Sequence, residues 1–498
     1  MPRRVLLLIL MIVGISARPA LAAFDPSEYR ANTYGPPTHY CDPTRALNNP
    51  GSGTLSNPWN LDQAMRLAVA GNVVGILPGV SVRLPSTNND NIATFRPHNS
   101  GTATNRIVYV TRFAAVALPN VATNPNRTQL RHDGTRAVAT GGSETGTGSA
   151  MMGSFNTNYV TFDGFFIDMA EAQPKSDGGV IRPENSTGTH FRNFEIKGTR
   201  TNMGTNPVLY RPNNARDTVL SNFRAYDFSN DTSNSDTPQR GLFSDQYGDQ
   251  NFLIENFEIR NTERGIFLKG TYNGTFNYGT IRYGIVSAVF ECFRFNDLDP
   301  TNVTTVEYSL CHDVIPGGIG TGVSMTGETT AVRNLVLHHL TIARMQSNTL
   351  INGGLYARNA INANVQIRDN IVEMDNGPYG HGAAFGEVAQ VPAVMNYNAY
   401  YKNGANVTFA FNGREYSSLS AWRTATNRDL NSQVLTSSPF VDRASGNFRV
   451  APGHPAMTAS STGGQLGAYA GAMAPGVDLG SSPPFTLPAS PTNVRVIR

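Results

Sequence analysis

A short pattern of strand, turn residue and apolar pair recurs along the chain from about residue 150. Its members are Phe162-Asp163-Gly164-Phe165, Phe191-Arg192-Asn193-Phe194, Leu220-Ser221-Asn222-Phe223 and Ile254-Glu255-Asn256-Phe257. Gly and Asn tolerate the left-handed backbone that a sharp corner requires. We therefore interpret the third residue of each member as one corner of a coiled chain, and Asn at these corners as structural rather than catalytic.

A further strand follows each of these corners at a distance of one loop. Its members are Pro207–Arg211, Gly241–Asp245, Gly265–Lys269, Ser287–Glu291, Gly322–Thr326 and Gly354–Arg358, whose last residues are 22 to 35 positions apart. A period of this length with short strands and variable loops is typical of a solenoid that adds one coil per repeat. Because crossovers between parallel strands are right-handed, the sequence predicts an all-β, right-handed parallel β-helix.

Both ends of the predicted coil carry covering segments, because a solenoid must cap its exposed strands. Before the first coil, Asn60 and Gln63 form a capping box for a short N-terminal capping helix, Leu61 to Ala70, and a strand follows at Val73–Leu77. A helix at Tyr416–Thr426 and a strand at Asn447–Val450 are expected near the other end. The predicted divisions are a signal peptide (1–22), a β-helix domain (23–470, with cap 36–80 and closing segment 391–470) and a mobile Pro/Gly/Ser-rich tail (471–498).

The first residues have the pattern of a secretory signal. Arg3 and Arg4 precede an apolar stretch, Val5 to Ile15, and Ala20-Leu21-Ala22 resembles a cleavage site. We therefore expect a secreted protein, periplasmic or extracellular, without a membrane span. Charged residues make up 15% of the chain and the formal net charge is +3, which argues against a nucleic-acid partner. A monomer is expected.

The three cysteines are Cys41, Cys292 and Cys311. So few cysteines do not make a disulfide scaffold, and an odd number leaves at least one thiol unpaired. One bridge is compatible with the count. The interpretation we favour is that the thiols are buried and pack as small apolar groups.

The last positions of the six third strands predict a column of charge. In these strands the second and fourth residues are mainly apolar and must face the core, so the fifth residues face outward. The column reads Arg211, Asp245, Lys269, Glu291, Thr326 and Arg358. Only four residues of the chain are Lys, and one of them, Lys269, lies between two acids.

Two interpretations of this column remain open. Asp245 and Glu291 could form a surface ion-pair ladder with Lys269, which would have little effect on stability. Alternatively the column lines a substrate groove in which Lys269 is a base. Flanking carboxylates would keep that amine protonated, unless a Ca²⁺ ion held by Asp245 and Glu291 offset their charge.

A weaker pattern involves His381. Gly380-His381-Gly382 resembles the histidine motif of polygalacturonases, and Ser176-Asp177-Gly178 faintly resembles their aspartate motif. The aspartate pair that such enzymes require between the two motifs is absent from the sequence. His338-His339 has no spacing typical of metal ligands.

Several segments together resemble the pectate-lyase-like superfamily of right-handed parallel β-helices. They are Tyr40 to Gly53, Leu77-Pro78-Gly79, Ser100 to Tyr109, Phe448 to Ala456 and Leu466 to Tyr469. Among these proteins the chain is most similar to chondroitinase-B-like and alginate-lyase-like polysaccharide lyases. That resemblance implies Lys269 as base, Arg294 or Arg358 as acid, and Ca²⁺ bound nearby. The Glu-x-Glu ligand pair of those lyases is missing, and only Asp245, Glu263 and Glu291 lie near Lys269.

These observations lead to three hypotheses for function. The first is a lyase that cleaves a uronic-acid-containing polysaccharide by β-elimination, with Arg211 and Glu328 binding the substrate. The second is a glycoside hydrolase that uses Asp245 and Glu291, two coils apart. The third is a non-catalytic carbohydrate-binding or cell-surface protein, since a fold does not determine a function.

Overall fold

The structure is a computed structural model of the 498-residue chain. It describes residues 31–82, 93–111, 128–131, 137–138, 150–169, 173–174, 179–198, 208–228, 242–244, 246–271, 274–315, 320–327, 332–345, 353–358, 361, 364–375, 381–385 and 391–477. The predicted signal peptide and residues 478–498 lie outside these ranges. In the described part of the chain, no helix has the length and apolar character needed to cross a membrane.

Within the described ranges, three α-helices and two short 3₁₀ helices accompany a large number of strands. The α-helices are α1 (Ala31–Tyr34), α2 (Leu61–Leu67) and α3 (Leu419–Thr426), and the 3₁₀ helices are Pro455–Met457 and Ala468–Ala470. The strands are β1 (His39–Cys41), β2 (Val73–Ile76), β3 (Gly79–Val82), β4 (Ala93–Phe95), β5 (Ile107–Thr111), β6 (Thr128–Arg131), β7 (Ala137–Val138), β8 (Ala150–Met152), β9 (Val160–Asp163), β10 (Phe166–Asp168), β11 (Gln173–Pro174), β12 (Gly179–Ile181), β13 (His190–Lys197), β14 (Val208–Tyr210), β15 (Asn213–Arg216), β16 (Val219–Phe228), β17 (Leu242–Ser244), β18 (Gln246–Thr262), β19 (Arg264–Gly270), β20 (Tyr278–Ser287), β21 (Glu291–Phe295), β22 (Thr304–Glu307), β23 (Leu310–His312), β24 (Thr321–Met325), β25 (Leu335–His338), β26 (Thr341–Met345), β27 (Gly353–Ala357), β28 (Gln366–Arg368), β29 (Ile371–Met374), β30 (His381–Phe385), β31 (Val394–Asn396), β32 (Ala399–Lys402), β33 (Phe409–Phe411), β34 (Arg414–Tyr416), β35 (Gln433–Val434), β36 (Phe440–Asp442) and β37 (Asn447–Val450).

The strands stack into three parallel sheets that run along one axis. Sheet 1 contains β1, β2, β5, β9, β22, β25, β28 and β31, together with the first halves of β13, β16 and β20 and the middle of β18. Sheet 2 contains β3, β6, β10, β23, β26, β29, β32 and β35, together with the ends of β13, β16, β18 and β20.

Sheet 3 contains β4, β8, β12, β14, β17, β19, β21, β24, β27, β30 and β33. Each coil passes from sheet 1 through a corner into sheet 2, and then by a loop into sheet 3. The fold is a right-handed parallel β-helix, as the sequence predicts.

From β9 onward, a single residue with left-handed backbone forms the corner between sheets 1 and 2 in each coil whose two strands are described. The corner residues in register are Gly164, Asn193, Asn222, Asn256, Tyr283, Tyr308, His339, Asp369 and Tyr397, all with positive φ. The amide of Asn222 donates to the side-chain oxygen of Asn193 at 2.8 Å. Further along, the rings of Tyr283, Tyr308 and His339 stack at 5.5 and 5.0 Å. The corner predicted from Gly and Asn is confirmed.

Inside the coil, aromatic side chains of successive coils stack on one another. The rings of Phe194 and Phe223 lie 4.8 Å apart, and those of Phe223 and Phe257 lie 5.4 Å apart. These side chains are almost completely buried, at 3% exposure or less. Offset stacking of this kind adds a directional contribution to apolar burial, so it helps to keep neighbouring coils in register.

Where sheet 3 begins, a column of small residues packs closely against sheet 2. A Cβ atom on Gly322 would lie 2.7 Å from the Ile342 side chain, and one on Gly354 would lie 2.2 Å from Val372. In the coil between Gly265 and Gly322, this place in the column is taken by Cys292, and its sulfur bonds to Cys311 of β23. The bridge thus joins sheet 3 to sheet 2 inside the core.

The sequence interpretation of the cysteines is therefore wrong for two of the three. Cys292 and Cys311 are joined, with a sequence separation of 19 residues, because the column brings their backbones to the 6.0 Å Cα–Cα distance that a disulfide needs. Cys41 is the free thiol, and it is buried as expected.

Both ends of the core are covered by helices. At the N-terminal end, Asn60 and Gln63 form the predicted capping box of α2, and Leu61 and Ala64 face the core. The helix ends at Leu67 rather than at Ala70. At the other end, the indole of Trp422 in α3 lies 5.4 Å from the ring of Phe409 and is fully buried.

After Leu435 the chain runs back along the outer face of sheet 2, and we call residues 436–477 the C-terminal arm. Its apolar side chains form a cluster with Leu310, Ala343, Ile371 and Ala399, which point outward from sheet 2. Arg443 of the arm forms ion pairs with Glu373 and Asp375. The Gly476 N–H donates to the Tyr283 carbonyl at 2.9 Å, so the packed segment continues past the predicted boundary at Gly471.

The disulfide contributes to stability by closing a loop of about 20 residues, an effect of about 3 kcal/mol. We expect the double variant Cys292→Ser/Cys311→Ser to lose about that much free energy of unfolding, measured by chemical denaturation. As a matched variant, Cys292→Gly/Cys311→Val restores the Gly265–Val286 arrangement of the neighbouring coil. It should lose less than the serine pair. Equal stability of the serine pair and the unaltered protein would contradict this role of the bridge.

The corner residue His339 should make stability depend on pH. Burial and the neighbouring His338, 2.9 Å away between the two Nδ1 atoms, lower the pKa of His339 to about 4. The unfolded chain takes up this proton near pH 6.5 and the folded chain resists it. The free energy of unfolding should therefore be fully retained above about pH 6.5 and decrease as the pH falls toward about 4.

The variant His339→Asn removes this titrating group and suits the corner, since Asn193, Asn222 and Asn256 adopt the same backbone there. Denaturation curves recorded between about pH 7 and about pH 4 should show a shallower loss of stability for the variant. An equal loss of unfolding free energy in both proteins over this pH range would show that His339 does not cause the pH dependence.

Candidate functional site

The outer face of sheet 3 is the surface on which the sequence predicts a column of charge. In the middle of this face, the outward side chains come from β19, β21, β24 and β27. They form two columns in register: Phe267, Arg294, Ser324 and Tyr356 make the first, and Lys269, Asn296, Thr326 and Arg358 make the second. Charged, aromatic and hydroxyl groups thus share one continuous surface.

The second column differs from the prediction at Glu291. The sequence analysis aligned Ser287–Glu291 with Gly265–Lys269, whereas the strand is Glu291–Phe295 and Glu291 pairs with Arg264. The residue beside Lys269 is Asn296, whose N–H donates to the Leu268 carbonyl at 3.0 Å. The prediction is wrong because Ser287 completes β20 of the preceding sheet, so that the next strand of sheet 3 starts four residues later.

The alignment of β17 is also shifted. Leu242 pairs with Arg264 and Gln246 with Leu268, two residues away from the predicted match of Leu242 with Ile266. Asp245 itself lies outside the described residues, and so does Glu328. The alternation of acid, lysine and acid predicted for neighbouring coils is therefore not the arrangement of sheet 3.

Two of the predicted cations, Arg211 and Lys269, meet around one aromatic ring. The Arg211 guanidinium carbon lies 5.2 Å from the centre of the Tyr247 ring, and the Lys269 Nζ lies 5.3 Å from it. Tyr247 belongs to β18 and pairs with Gly270, directly after Lys269. The ring therefore holds two cations from different coils at one end of the outer face.

Buried polar groups fix the backbone on either side of this ring. The Asn277 amide donates to the carbonyls of Gln246 and Gly270 at 3.0 and 2.9 Å. The Tyr210 hydroxyl, next to Arg211 in the chain, donates to the Asp249 carboxylate at 2.9 Å. Burial raises the pKa of Asp249 to about 7. These contacts make the positions of Arg211 and Lys269 well defined.

A second cluster surrounds Phe267. The Arg264 Nε donates to the Glu291 Oε2 at 2.6 Å, and Arg294 Nη1 lies 3.5 Å from the same oxygen. The guanidinium carbons of Arg264 and Arg294 lie 5.5 and 4.8 Å from the centre of the Phe267 ring. Glu291 is only 2% exposed. Arg264 Nη2 also lies 3.0 Å from the Glu263 Oε1, so two guanidinium groups and two carboxylates meet beside one ring.

Arg358, the other candidate acid, is far from these clusters. Its N–H donates to the Met325 carbonyl, which places it in the column of Lys269 but three coils further along. At about 4.8 Å per coil, the separation along the axis is roughly 14 Å. Arg294 lies only one coil from Lys269, and Arg211 shares the Tyr247 ring with Lys269, whereas Arg358 lies three coils away.

The calcium site implied by the resemblance does not fit the described residues. The Glu291 carboxylate is already bound by Arg264 and has Arg294 beside it, and a divalent cation at this oxygen would face both positive charges. No group of three or more metal-type side chains occurs among the residues that the structure describes. We therefore derive no step of the chemistry through a metal ion.

A charge ladder does exist, but on the outer face of sheet 1. Its members in register are Asp163, Arg192, Ser221, Glu255, Arg282, Glu307, His338 and Arg368. Arg282 donates to the Glu255 carboxylate at 2.7 Å, and His338 Nε2 lies 3.0 Å from Glu307. This ladder has the structural role that one interpretation assigned to sheet 3.

His381, from the motif that resembles polygalacturonases, belongs to β30. Its Nδ1 lies 2.8 Å from the Thr408 hydroxyl and the residue is 5% exposed. The Thr408 hydroxyl therefore occupies one nitrogen of the buried His381 ring with a hydrogen bond. The Ser176-Asp177-Gly178 motif lies outside the described residues.

Sequence reasoning missed three residues of the outer face: Tyr247, Arg264 and Phe267. Tyr247 belongs to a strand that runs from sheet 3 into sheet 1 through an irregular register, and no periodicity marks it. Phe267 is not among the residues named from the sequence, although alternation counted from Lys269 places it outward, so the signal is present in the strand itself.

Comparisons with known proteins support the fold. No protein-family model matches the sequence, and no curated protein gives a significant match. Among solved structures, the pectate lyase Pel9A matches with a TM-score of 0.51 and 13% identity, over 86% of this chain and 95% of that chain. A rhamnogalacturonan lyase matches with a TM-score of 0.40 and 11% identity, over 81% of this chain and 90% of that chain.

A polysaccharide lyase of family PL6 from Pseudopedobacter saltans, Pedsa3628, matches with a TM-score of 0.34 and 12% identity, over 82% of this chain and 97% of that chain. Of these three, the match to Pel9A has a TM-score above 0.5, and it shows a shared fold and no shared activity. The chain has a right-handed parallel β-helix fold, which it shares with the pectate lyase Pel9A.

Proposed function

We propose that the outer face of sheet 3 binds a uronic-acid-containing polysaccharide and cleaves it by β-elimination. The observation that carries this proposal is the group of four cations, Arg211, Lys269, Arg264 and Arg294, around the rings of Tyr247 and Phe267. The rings hold the cations by cation–π contact, and guanidinium groups bind carboxylates with two parallel hydrogen bonds.

The chemistry assigns different tasks to the two clusters. A base removes the proton at C5 of the uronate, the C4–O bond breaks with formation of a C4–C5 double bond, and the leaving oxygen takes up a proton. Cations near the substrate carboxylate stabilise the charge that develops on it. We assign Lys269 as the base and Arg294, one coil away, as the group nearest the carboxylate or the leaving oxygen.

Lys269 acts as a base only as a neutral amine, a form that nearby cations favour and nearby carboxylates oppose. The observed register supports this assignment, because Asn296 rather than Glu291 lies beside Lys269. Arg211 adds a second cation at the Tyr247 ring that Lys269 contacts.

The hydrolase hypothesis receives less support from the same residues. An inverting hydrolase needs one carboxylate that activates water and a second that donates a proton. Glu291 is buried and bound to Arg264, so its oxygens are poorly placed to act on a water molecule. A non-catalytic carbohydrate-binding protein remains the competing proposal, and a product assay distinguishes it.

We also propose that the protein acts outside the cytoplasm as a monomer. The Cys292–Cys311 bridge supports this compartment, since structural disulfides form and persist in oxidising environments. The signal-like pattern of the first residues points the same way.

The central prediction is an unsaturated product. Incubation with polygalacturonate, alginate or chondroitin should produce ultraviolet absorbance from the new double bond for at least one polymer. Lys269→Ala should lower the rate by roughly 10²- to 10⁴-fold, since it removes the general base. Lys197→Ala, on the outer part of sheet 2, is the matched control and should keep full activity. New reducing ends without absorbance would favour the hydrolase, and binding without product the non-catalytic protein.

The second prediction concerns calcium. Because Arg264 already neutralises the Glu291 carboxylate, removal of divalent cations with a chelator should leave kcat/KM within about twofold. Added Ca²⁺ should not raise the melting temperature, whereas a specifically bound ion would raise it roughly with the logarithm of its concentration. Loss of activity on chelation, with recovery when Ca²⁺ is added, would contradict this prediction and would support a calcium ion in the site.

A further inference from the structure

The residue with the most unusual surroundings on the outer face is Glu291. It was expected to be a metal ligand or a member of a surface ladder, and it is neither exposed nor beside Lys269. Its carboxylate is 2% exposed, whereas the two arginines that approach it are 22% and 13% exposed at their side chains. A carboxylate is buried to this degree only when cations or donors compensate for lost hydration.

The contacts of Glu291 have a definite geometry. Arg264 comes from the adjacent strand, β19, and pairs with Glu291 in register, so its Nε reaches Oε2 directly at 2.6 Å. Arg294 follows Glu291 by three residues on the same strand and approaches that oxygen at 3.5 Å. One oxygen atom is thus shared by two guanidinium groups from neighbouring coils.

Both guanidinium groups also lie over Phe267, which is buried and packs against Val208 of an earlier coil. The ring lies within cation–π distance of both groups, while the carboxylate binds their N–H groups. Two like charges this close repel each other, and the buried carboxylate between them reduces that repulsion. Without it, the arginines would lose a common anchor.

We propose that Glu291 is a positioning residue that holds Arg264 and Arg294 together on Phe267 as a pair able to bind a substrate carboxylate. This inference rests on the proposed function and specifies which atoms recognise the uronate. In this proposal the arginine pair binds and neutralises the substrate carboxylate, which is the role of Ca²⁺ in the calcium hypothesis. Glu291 acts through the two arginines and does not touch the substrate.

The test is the variant Glu291→Gln, which keeps the size and an acceptor oxygen but removes the charge. We expect kcat/KM for the cleaved polymer to fall roughly 10- to 100-fold, the effect of losing a hydrogen bond to a charged group, and mostly through a higher KM. Glu291→Asp keeps the charge and should recover part of the loss. Glu258→Gln is the matched control, because it breaks a similar pair with Arg224 on sheet 2, and should leave kcat and KM unchanged.

A merely structural role would give a different result. It predicts equal losses for the Gln and Asp variants, a lower melting temperature that accounts for the lost activity, and no preferential change in KM. Unchanged kinetics in Glu291→Gln would likewise overturn the proposal.

Failure of the positioning role can be distinguished from failure of the proposed function. If the unaltered protein forms no product, binding of trigalacturonate and trimannuronate is measured by calorimetry. Weaker binding to Glu291→Gln than to Glu258→Gln would then support the positioning role in a non-catalytic protein.

If neither sugar binds to the unaltered protein, the proposed function fails. The positioning role is then decided by NMR of labelled arginine: the Arg264 Nε–H should exchange faster with solvent in Glu291→Gln, and equal exchange would refute it.

Discussion

The whole architecture depends on the hydrogen-bonded stacking of one coil on the next at about 4.8 Å. Each coil can stack only if its corners recur at the same place, and the corner between sheets 1 and 2 is a single residue with left-handed backbone. Asn193 and Asn222 satisfy this requirement and also bond to each other through their amides. Later coils replace the amide ladder by stacked rings of Tyr283, Tyr308 and His339, which are less usual at positive φ. Stacking therefore compensates for the backbone cost of the corner.

The same register that builds the core arranges the outer face of sheet 3. Side chains at equal positions of successive strands are brought close together although tens of residues separate them in the chain. Glu291 and Arg264 meet because their strands pair in register, and Arg211 and Lys269 meet through the Tyr247 ring. A displacement of one strand by a few residues changes which charges become neighbours. The register of the strands therefore decides whether acids or cations lie beside a lysine on this face.

The C-terminal arm and the disulfide join parts that the coil alone would leave independent. Arg443 fastens the arm to Glu373 and Asp375, and Ser461 donates to the Asp369 carboxylate from a position 92 residues further along the chain. Cys292 and Cys311 join sheets 3 and 2 where neighbouring coils have glycine against an apolar side chain. The arm contacts coils that precede its own start, and the bridge joins one coil to the next, so both links oppose the local opening to which stacked repeats are prone.

The sequence alone predicts the fold, the corner and several of the strands. Gly164, Asn193, Asn222 and Asn256 share a local backbone requirement, and local requirements can be read from residue types. Helix α2 with its Asn60 cap and strand β37 were predicted for the same reason. The start of β21 could not be predicted, because Ser287–Glu291 has an apolar pattern as good as that of Glu291–Phe295. Only the pairing of β20 with its neighbours in sheets 1 and 2 excludes it.

Tertiary structure alone decided the pairing of the cysteines, the position of the arm and the identity of the groups around Lys269. Each of these depends on which residues of different coils come to equal heights, and loop lengths that vary from coil to coil hide that information in the sequence. A pattern within one strand shows which side of the sheet a residue faces. The neighbours that it meets there are set by hydrogen bonds between strands, and these form only in the assembled coil.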